Sequence, residues 1–294
     1  MTPQKRAKFI TKWIKDYTKR HKIDKLVVGI SGGIDSAVVS TLCAETGVDT
    51  IVVSMPIHQR PEQHYLSDNH GKWLQGRYKN VTHVTVDLTK TFDAFKDNFK
   101  VLPNLLALAN SRSRLRMACL YQIAQSHAGI VVGTGNRVED FGVGFYTKYG
   151  DGGVDISPIG DCMKTEVWDM GRALGVDEDI INAAPTDGLW DDGRTDQDQL
   201  KGISYPELER AMMQDTTGTK PEGKREREVL KQYREIRSKT QHKMQPIPVC
   251  MMPAEEIVYK KPAKKAAKKT AKKTAKSSRK SEKTAGFPNI VLVK

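Results

Sequence analysis

The sequence predicts an α/β fold, a parallel sheet with helices on both faces. Three observations predict it. Short β-branched runs alternate with longer stretches at helical spacing, a Gly- and Ser-rich turn joins the first such run to a helix, and 294 residues with 38% hydrophobic content can bury a full core.

Taken in order, Met1 to His21 reads as a helix because Phe9, Ile10, Trp13, Ile14 and Tyr17 fall on one face. Leu26 to Ile30 is a short buried strand, Ser31 to Asp35 a turn, and Ser36 to Thr46 a helix stopped by Gly47. Strands follow at Thr50–Met55, Val81–Val86 and Gly129–Val132. Helices are expected at Pro61–Gly76, Leu88–Phe99 and Asn104–His127 between them. Gly133 to Gly160 is Gly- and Asp-rich with little periodicity, and a loop that long inside a domain is usually functional. Helices close the pattern at Met163–Gly175, Tyr205–Met213 and Lys224–Lys239, with a polar loop at Gly188–Arg194.

Composition excludes several classes. No apolar run approaches the roughly 18–20 residues that span a bilayer, and no secretory h-region is visible at the N-terminus. Cys43, Cys119, Cys162 and Cys250 form no C-x-x-C pair, which argues against a metal knuckle and suits a reducing cytoplasm. The net charge of +13 first suggests nucleic acid. Residues 260–283, however, hold twelve Lys or Arg and one acid, so this repeat of Ala, Lys and Thr carries nearly all the excess. Such a segment cannot bury apolar area, and residues 256–294 are expected to be a disordered basic tail behind a domain spanning 1–255. Nucleic acid is expected as a partner only through that tail.

The turn Ser31-Gly32-Gly33-Ile34-Asp35-Ser36 carries the chemistry. A turn from a strand into a helix aims backbone N–H groups and the positive helix end at an anion. Glycine lets backbone approach phosphate, and Ser31 and Ser36 add hydroxyls. Asp35 is out of place beside an anion unless a cation lies between them, and Mg²⁺ suits that role. The loop is neither G-x-x-x-x-G-K-[ST] nor G-x-G-x-x-G, so the commonest NTPase loop and a dinucleotide hydride site are both unsupported.

Other residues make chemical sense at their positions. Arg114 lies between two more arginines on a helix, suited to a phosphate or carboxylate or to a solvated basic face. Glu139 follows a strand end and a Gly-rich turn, where ligands bind in open α/β sheets; it reads as a second Mg²⁺ carboxylate or as a surface acid. Lys148 to Asp155 alternates charge with glycine, the pattern of a loop that closes on a polar ligand or of a mobile surface loop. Lys164 begins a helix, where the dipole disfavours a cation; a phosphate partner would explain it.

The S-G-G-x-D-S loop resembles that of the ATP-pyrophosphatase superfamily, whose Rossmann-like, adenine nucleotide α-hydrolase-like fold cleaves ATP between the α- and β-phosphates. Downstream come Asn110-Ser111-Arg112-Ser113-Arg114-Leu115-Arg116-Met117, Gly133-Thr134-Gly135-Asn136-Arg137-Val138-Glu139, and Tyr146-Thr147-Lys148-Tyr149-Gly150-Asp151-Gly152-Gly153-Val154-Asp155. Pro158–Asp161 with Lys164-Thr165, Pro185–Trp190, Thr195-Asp196 and His242-Lys243 follow. In this order and spacing they resemble the ammonia-dependent NAD synthetases, over about residues 1–250.

That resemblance implies amidation of deamido-NAD by ammonia through an adenylated carboxylate, giving NAD, AMP and pyrophosphate. It assigns Gly29, Ile30, Ser31, Gly32, Gly33, Ile34, Asp35, Ser36, Thr134, Lys164 and Thr186 to ATP, with Asp35 and Lys164 catalytic. It assigns Arg114, Lys148, Asp155, His242 and Lys243 to deamido-NAD, and Asp35 and Glu139 to Mg²⁺, with Asp140 as the alternative to Glu139. It implies a cytoplasmic homodimer, with the Asn104–His127 helix at the interface. The phosphate loop begins near residue 31, which leaves no room for a preceding amidase domain and favours ammonia over glutamine. Two other readings stay open: a related ligase that thiolates or amidates tRNA, and a nucleotide-dependent nucleic-acid binding protein.

Overall fold

The structure is a computed structural model and describes residues 1–101, 104–190 and 192–253. Helix α1 (Pro3–His21) starts on Thr2, whose side chain accepts from Lys5 N, and on Pro3, which needs no partner for a missing N–H. It ends at Lys22 in the left-handed conformation, and its buried face is Ala7, Ile10, Ile14 and Thr18. Strand β1 (Lys25–Ile30) is almost wholly buried, as expected for a strand covered on both faces. Then follow α2 (Ile34–Glu45), β2 (Asp49–Ser54), α3 (Pro61–Arg77), β3 (Val81–Thr85), α4 (Thr89–Asp97), α5 (Leu105–Ser126) and β4 (Gly129–Val131).

The four strands are parallel in the order β3-β2-β1-β4. The chain steps from β1 to β2 to β3 in one direction, then returns through α5 to place β4 on the other flank of β1. The loops leaving β1 and β4 therefore part at their carboxyl ends, the switch point where open α/β sheets bind ligands. Side chains alternate across β1. Leu26 and Val28 pack with Ile14, Val38, Leu42 and Met170 on one face, while Val27 packs with Val53, Val131, Ala124 and Leu120 on the other. Each fully buried aliphatic side chain contributes roughly 1.5–3 kcal/mol.

The long stretch after β4 departs from the expected loop. Arg137–Val143 forms one π-helical turn, ended by Gly144 at φ 63°. A π-turn leaves no apolar periodicity to read, and such turns are frequent at functional sites. Beyond it come α6 (Lys164–Leu174), α7 (Glu178–Asn182), α8 (Asp196–Gln199), α9 (Tyr205–Thr217) and α10 (Gly223–Met244). The short α7 and α8 were not legible as helices. Helix α10 runs past Lys239, so His242 and Lys243 lie in its last turn. Helices α9 and α10 with the π-turn build a second core around Val138, Val143, Leu208, Met212 and Tyr233.

Residues Met1–Ile247 form one compact unit and Pro248–Lys294 a second. In the second, residues 248–253 are exposed coil; the tail expected at 256–294 lies outside the described residues. Among the described residues no helix is long and apolar enough to cross a membrane.

Candidate active site

The Ser31–Ser36 turn is built largely from its own serines. Ser31 N donates to Ser36 Oγ at 3.1 Å, Gly33 N to Ser31 Oγ at 3.2 Å, and Ser36 Oγ to Gly33 O at 2.9 Å. Gly32 sits at φ +85°, and a Cβ there would lie 2.9 Å from Gln63 O and 3.0 Å from Leu66 Cβ. Only glycine meets both conditions. Helix α2 is capped at its N-terminus by Gly33, which has no side chain to bond the first-turn N–H groups and leaves them free for an anion.

Asp35, in the first turn of α2, meets residues from the π-turn and from α6. Lys164 is the first residue of α6 and only 3% exposed. Its Nζ donates to Asp35 Oδ2 and, at 2.9 Å, to Glu139 Oε1. Asn136, fully buried, donates through Nδ2 to Asp35 Oδ1 at 3.0 Å and accepts from Val138 N and Glu139 N. One side chain thus caps the π-turn and fixes Asp35. The ammonium that the helix dipole disfavours is stabilised by two carboxylates. Burial lowers the Lys164 pKa, but Asp35 and Glu139 outweigh it and hold the ammonium charged, well above the ordinary lysine range.

The two carboxyls respond differently. Burial pushes Asp35 up, Lys164 opposes, and the charge of Glu139 adds to the rise, so Asp35 ends above its ordinary value. Burial also pushes Glu139 up, yet Lys164 and the Tyr205 hydroxyl outweigh it and hold Glu139 below its ordinary value. Asp140, the alternative, does not share Lys164: its carboxyl packs over Gly135, and burial with the charges of Glu139, Asp151 and Asp35 drives it well upward.

Two carboxylates already converge on one cation, so their oxygens suit a single hard metal ion. Among the described residues no group of three or more His, Cys, Asp or Glu side chains could hold a metal. The protein would supply Asp35 and Glu139, and phosphate and water oxygens the rest.

Behind Glu139 lies Tyr205. Its hydroxyl contacts Glu139 Oε1 at 2.5 Å and Asp196 Oδ2 at 2.8 Å. A phenol has one proton, so two short contacts to two oxygens need a second proton. Burial raises the Asp196 carboxyl to about 7, with Glu139 adding to the rise, and its protonated form can donate to the phenol oxygen while the phenol donates to Glu139.

The loop after the π-turn is tied to α5. Ser113 Oγ donates to Asp151 Oδ1 at 2.7 Å, Asp151 N to Ser113 Oγ at 2.9 Å, Thr147 N to Asp151 Oδ1 at 2.9 Å, and Thr147 Oγ1 to Asn110 Oδ1 at 2.6 Å. The Asn110–Met117 motif is therefore a mooring for this loop. Arg114 Nε donates to Lys148 O at 3.3 Å and Lys148 Nζ to His242 O at 3.4 Å, while Lys243 donates to Gly144 O and Tyr146 O. Arg114, Lys148 and Lys243, with the backbone of His242, thus gather around one loop although they span residues 114 to 243.

Two of the expected residues have hydrogen-bond partners within the protein. Asp155 accepts from Val131 N at 2.7 Å and from Tyr121 OH at 3.2 Å, pinning β4. Thr186 donates to Arg194 O at 3.2 Å and accepts from Gly188 N, closing its own loop. Thr134 is half-buried two residues before Asn136. Gly29 and Ile30 end β1, with Gly29 against Met55 and Leu120. Sequence reasoning missed Asn136, Tyr205 and Asp151 as site residues. Asn136 and Asp151 stood inside quoted motifs, whereas Tyr205 opens an ordinary helix and gave no signal.

The chain is similar to known proteins over most of its length. The family model described as NAD synthase matches residues 7–247. The chain is 34% identical over 245 residues to the NH(3)-dependent NAD(+) synthetase of Carboxydothermus hydrogenoformans, covering 82% of this chain and 94% of the relative. It is 37% identical over 205 residues to that of Finegoldia magna, covering 69% and 82%. Among solved structures, the NMN synthetase of Francisella tularensis aligns with a TM-score of 0.74 at 29% identity, covering 86% of this chain and 99% of that one.

Proposed function

The chain belongs to the NAD synthase family, and we propose that it uses ATP to join ammonia to the nicotinate carboxylate of deamido-NAD, releasing NAD, AMP and pyrophosphate. The observation that carries this reading is the convergence of Asp35, from the phosphate loop, and Glu139, from the π-turn, on Lys164 at the switch point of the sheet.

The nicotinate carboxylate attacks the α-phosphorus of ATP, and pyrophosphate leaves. Ammonia then attacks the acyl carbon of the adenylate, sheds a proton, and AMP departs. The uncapped N–H groups of α2 with Ser31 and Ser36 bind phosphate oxygens, and Lys164 neutralises charge on the departing pyrophosphate. Asp35 and Glu139 would hold Mg²⁺, which supplies charge neutralisation at the phosphates. Arg114, Lys148, His242 and Lys243, gathered on the Gly144–Tyr149 loop, hold the anionic dinucleotide in place, and this positioning accounts for much of the rate. The relatives named NH(3)-dependent support free ammonia as the nitrogen source.

The test is an assay of purified protein with deamido-NAD, ATP, Mg²⁺ and ammonia. NAD, AMP and pyrophosphate are expected in equal amounts; ADP and phosphate overturn the proposed cleavage. The likeness to the NMN synthetase favours a second reading, amidation of nicotinate mononucleotide. A higher kcat/KM for the mononucleotide than for deamido-NAD would decide for it.

The protein acts as a homodimer in this reading, supported by the exposed Leu105 and Leu106 at the start of α5. The mass in solution should be twice the 32.9 kDa of one chain. Four free cysteines fit a reducing cytoplasm.

A further inference from the structure

Tyr205 is 7% exposed at the first position of α9, and Asp196 is 5% exposed at the first position of α8. The phenol ring is fixed edge-on against Trp168, with centroids 5.8 Å apart and planes at 83°, and belongs to the second core. Its hydroxyl reaches Glu139 and Asp196 at 2.5 Å and 2.8 Å. Asp196 Oδ1 has no hydrogen-bond partner among the described residues. The single contact with Tyr205 therefore sets the direction of the Asp196 carboxyl. Asp196 N also donates to Pro185 O at 2.9 Å, which ties this pair to the loop carrying Thr186.

A glutamate held only by a lysine is poorly aimed. The lysine stem is flexible and its ammonium acts as a point charge, so Lys164 fixes the charge balance without fixing direction. A phenol on a core-packed ring is rigid, and partners of this kind orient metal-binding carboxylates.

We propose that Tyr205, oriented by Asp196, is a positioning residue that aims the Glu139 carboxylate at the metal–nucleotide complex. The proposal rests on the reading of Asp35 and Glu139 as the Mg²⁺ site.

Tyr205→Phe removes the hydroxyl and keeps the ring against Trp168. The Mg²⁺ concentration for half-maximal rate at saturating ATP should rise about 10–100-fold, with a smaller loss in kcat at saturating Mg²⁺ in a protein that still unfolds cooperatively, at a somewhat lower thermal midpoint. Mn²⁺ binding in the presence of a non-hydrolysable ATP analogue, followed by electron paramagnetic resonance, should weaken in parallel without turnover. Asp196→Ala should shift both readouts in the same direction. Asp196→Asn, whose amide can still donate to the phenol oxygen, should restore them. A folded Tyr205→Phe protein with wild-type Mn²⁺ affinity and Mg²⁺ dependence overturns the proposal. Should Tyr205→Phe fail to fold, Asp196→Ala decides in the same way, because it leaves the ring in place. Wild-type protein that makes no NAD, or that binds no Mn²⁺ with the analogue, overturns the underlying site reading instead.

Discussion

Lys164 stands where a helix dipole repels it and where water barely reaches it, at 3% exposure. It is tolerated because two carboxylates, each about one-sixth exposed, surround its ammonium. Removing one member of a buried ion cluster typically costs about 3–5 kcal/mol. Lys164→Ala should therefore lower the thermal midpoint and cut kcat by about 10²-fold or more, read by calorimetry and by pyrophosphate release. Asp196 gives a pH prediction. Its carboxyl titrates near 7 in the folded protein against an ordinary value of 3.8, so the fold favours its protonated form. That contribution is fully present below about pH 4 and is lost as pH rises toward 7. Asp196→Asn removes the titration. Its thermal midpoint relative to wild type should climb between pH 4 and 7 and then level off; a flat difference would contradict the shift.

At the scale of elements, the phosphate loop and the π-turn behave differently. Strand, Gly-rich turn and helix announce themselves through β-branched runs and glycine, and the boundary of α2 was misplaced only by two residues, at Ile34 instead of Ser36. Gly32→Ala would force a side chain into φ +85° and against Gln63 O, so phosphate binding should be lost with roughly 1–3 kcal/mol of stability. Equilibrium unfolding and ATP binding by calorimetry check both parts. The π-turn gave no pattern, because seven residues at an irregular pitch have no hydrophobic period. Its start depends on Asn136, whose amide bonds Asp35 across 101 residues of chain. Asn136→Ala should leave that buried carboxylate short of a donor and cost about 1–3 kcal/mol, with weaker Mg²⁺-dependent activity than wild type.

For the whole molecule, charge separates into two parts. Residues 260–283 carry most of the +13, and the rest of the chain is close to neutral. Deleting residues 260–294 should leave NAD synthesis intact. If the tail tethers the protein to nucleic acid, that binding should vanish with the deletion and, in the intact chain, fall steeply with salt. Loss of kcat in a folded deletion protein would contradict an accessory tail.

The sequence by itself determined the fold class, the Ser31–Ser36 turn between strand and helix, and the family, because these rest on local signals: strand and helix periods, glycines in a turn, and motifs in order. It also placed Asp35, Glu139 and Lys164 in one site through the family resemblance. Only the tertiary structure decided what each of them touches. It gave Lys164 to two carboxylates, tied the exposed Asp155 to Val131 N of β4, and brought Tyr205 and Asp196 behind Glu139. The physical reason is separation along the chain. Hydrogen bonds and desolvation act over a few ångströms, and residues 35, 139, 164, 196 and 205 come within that range only when the sheet and helices have packed.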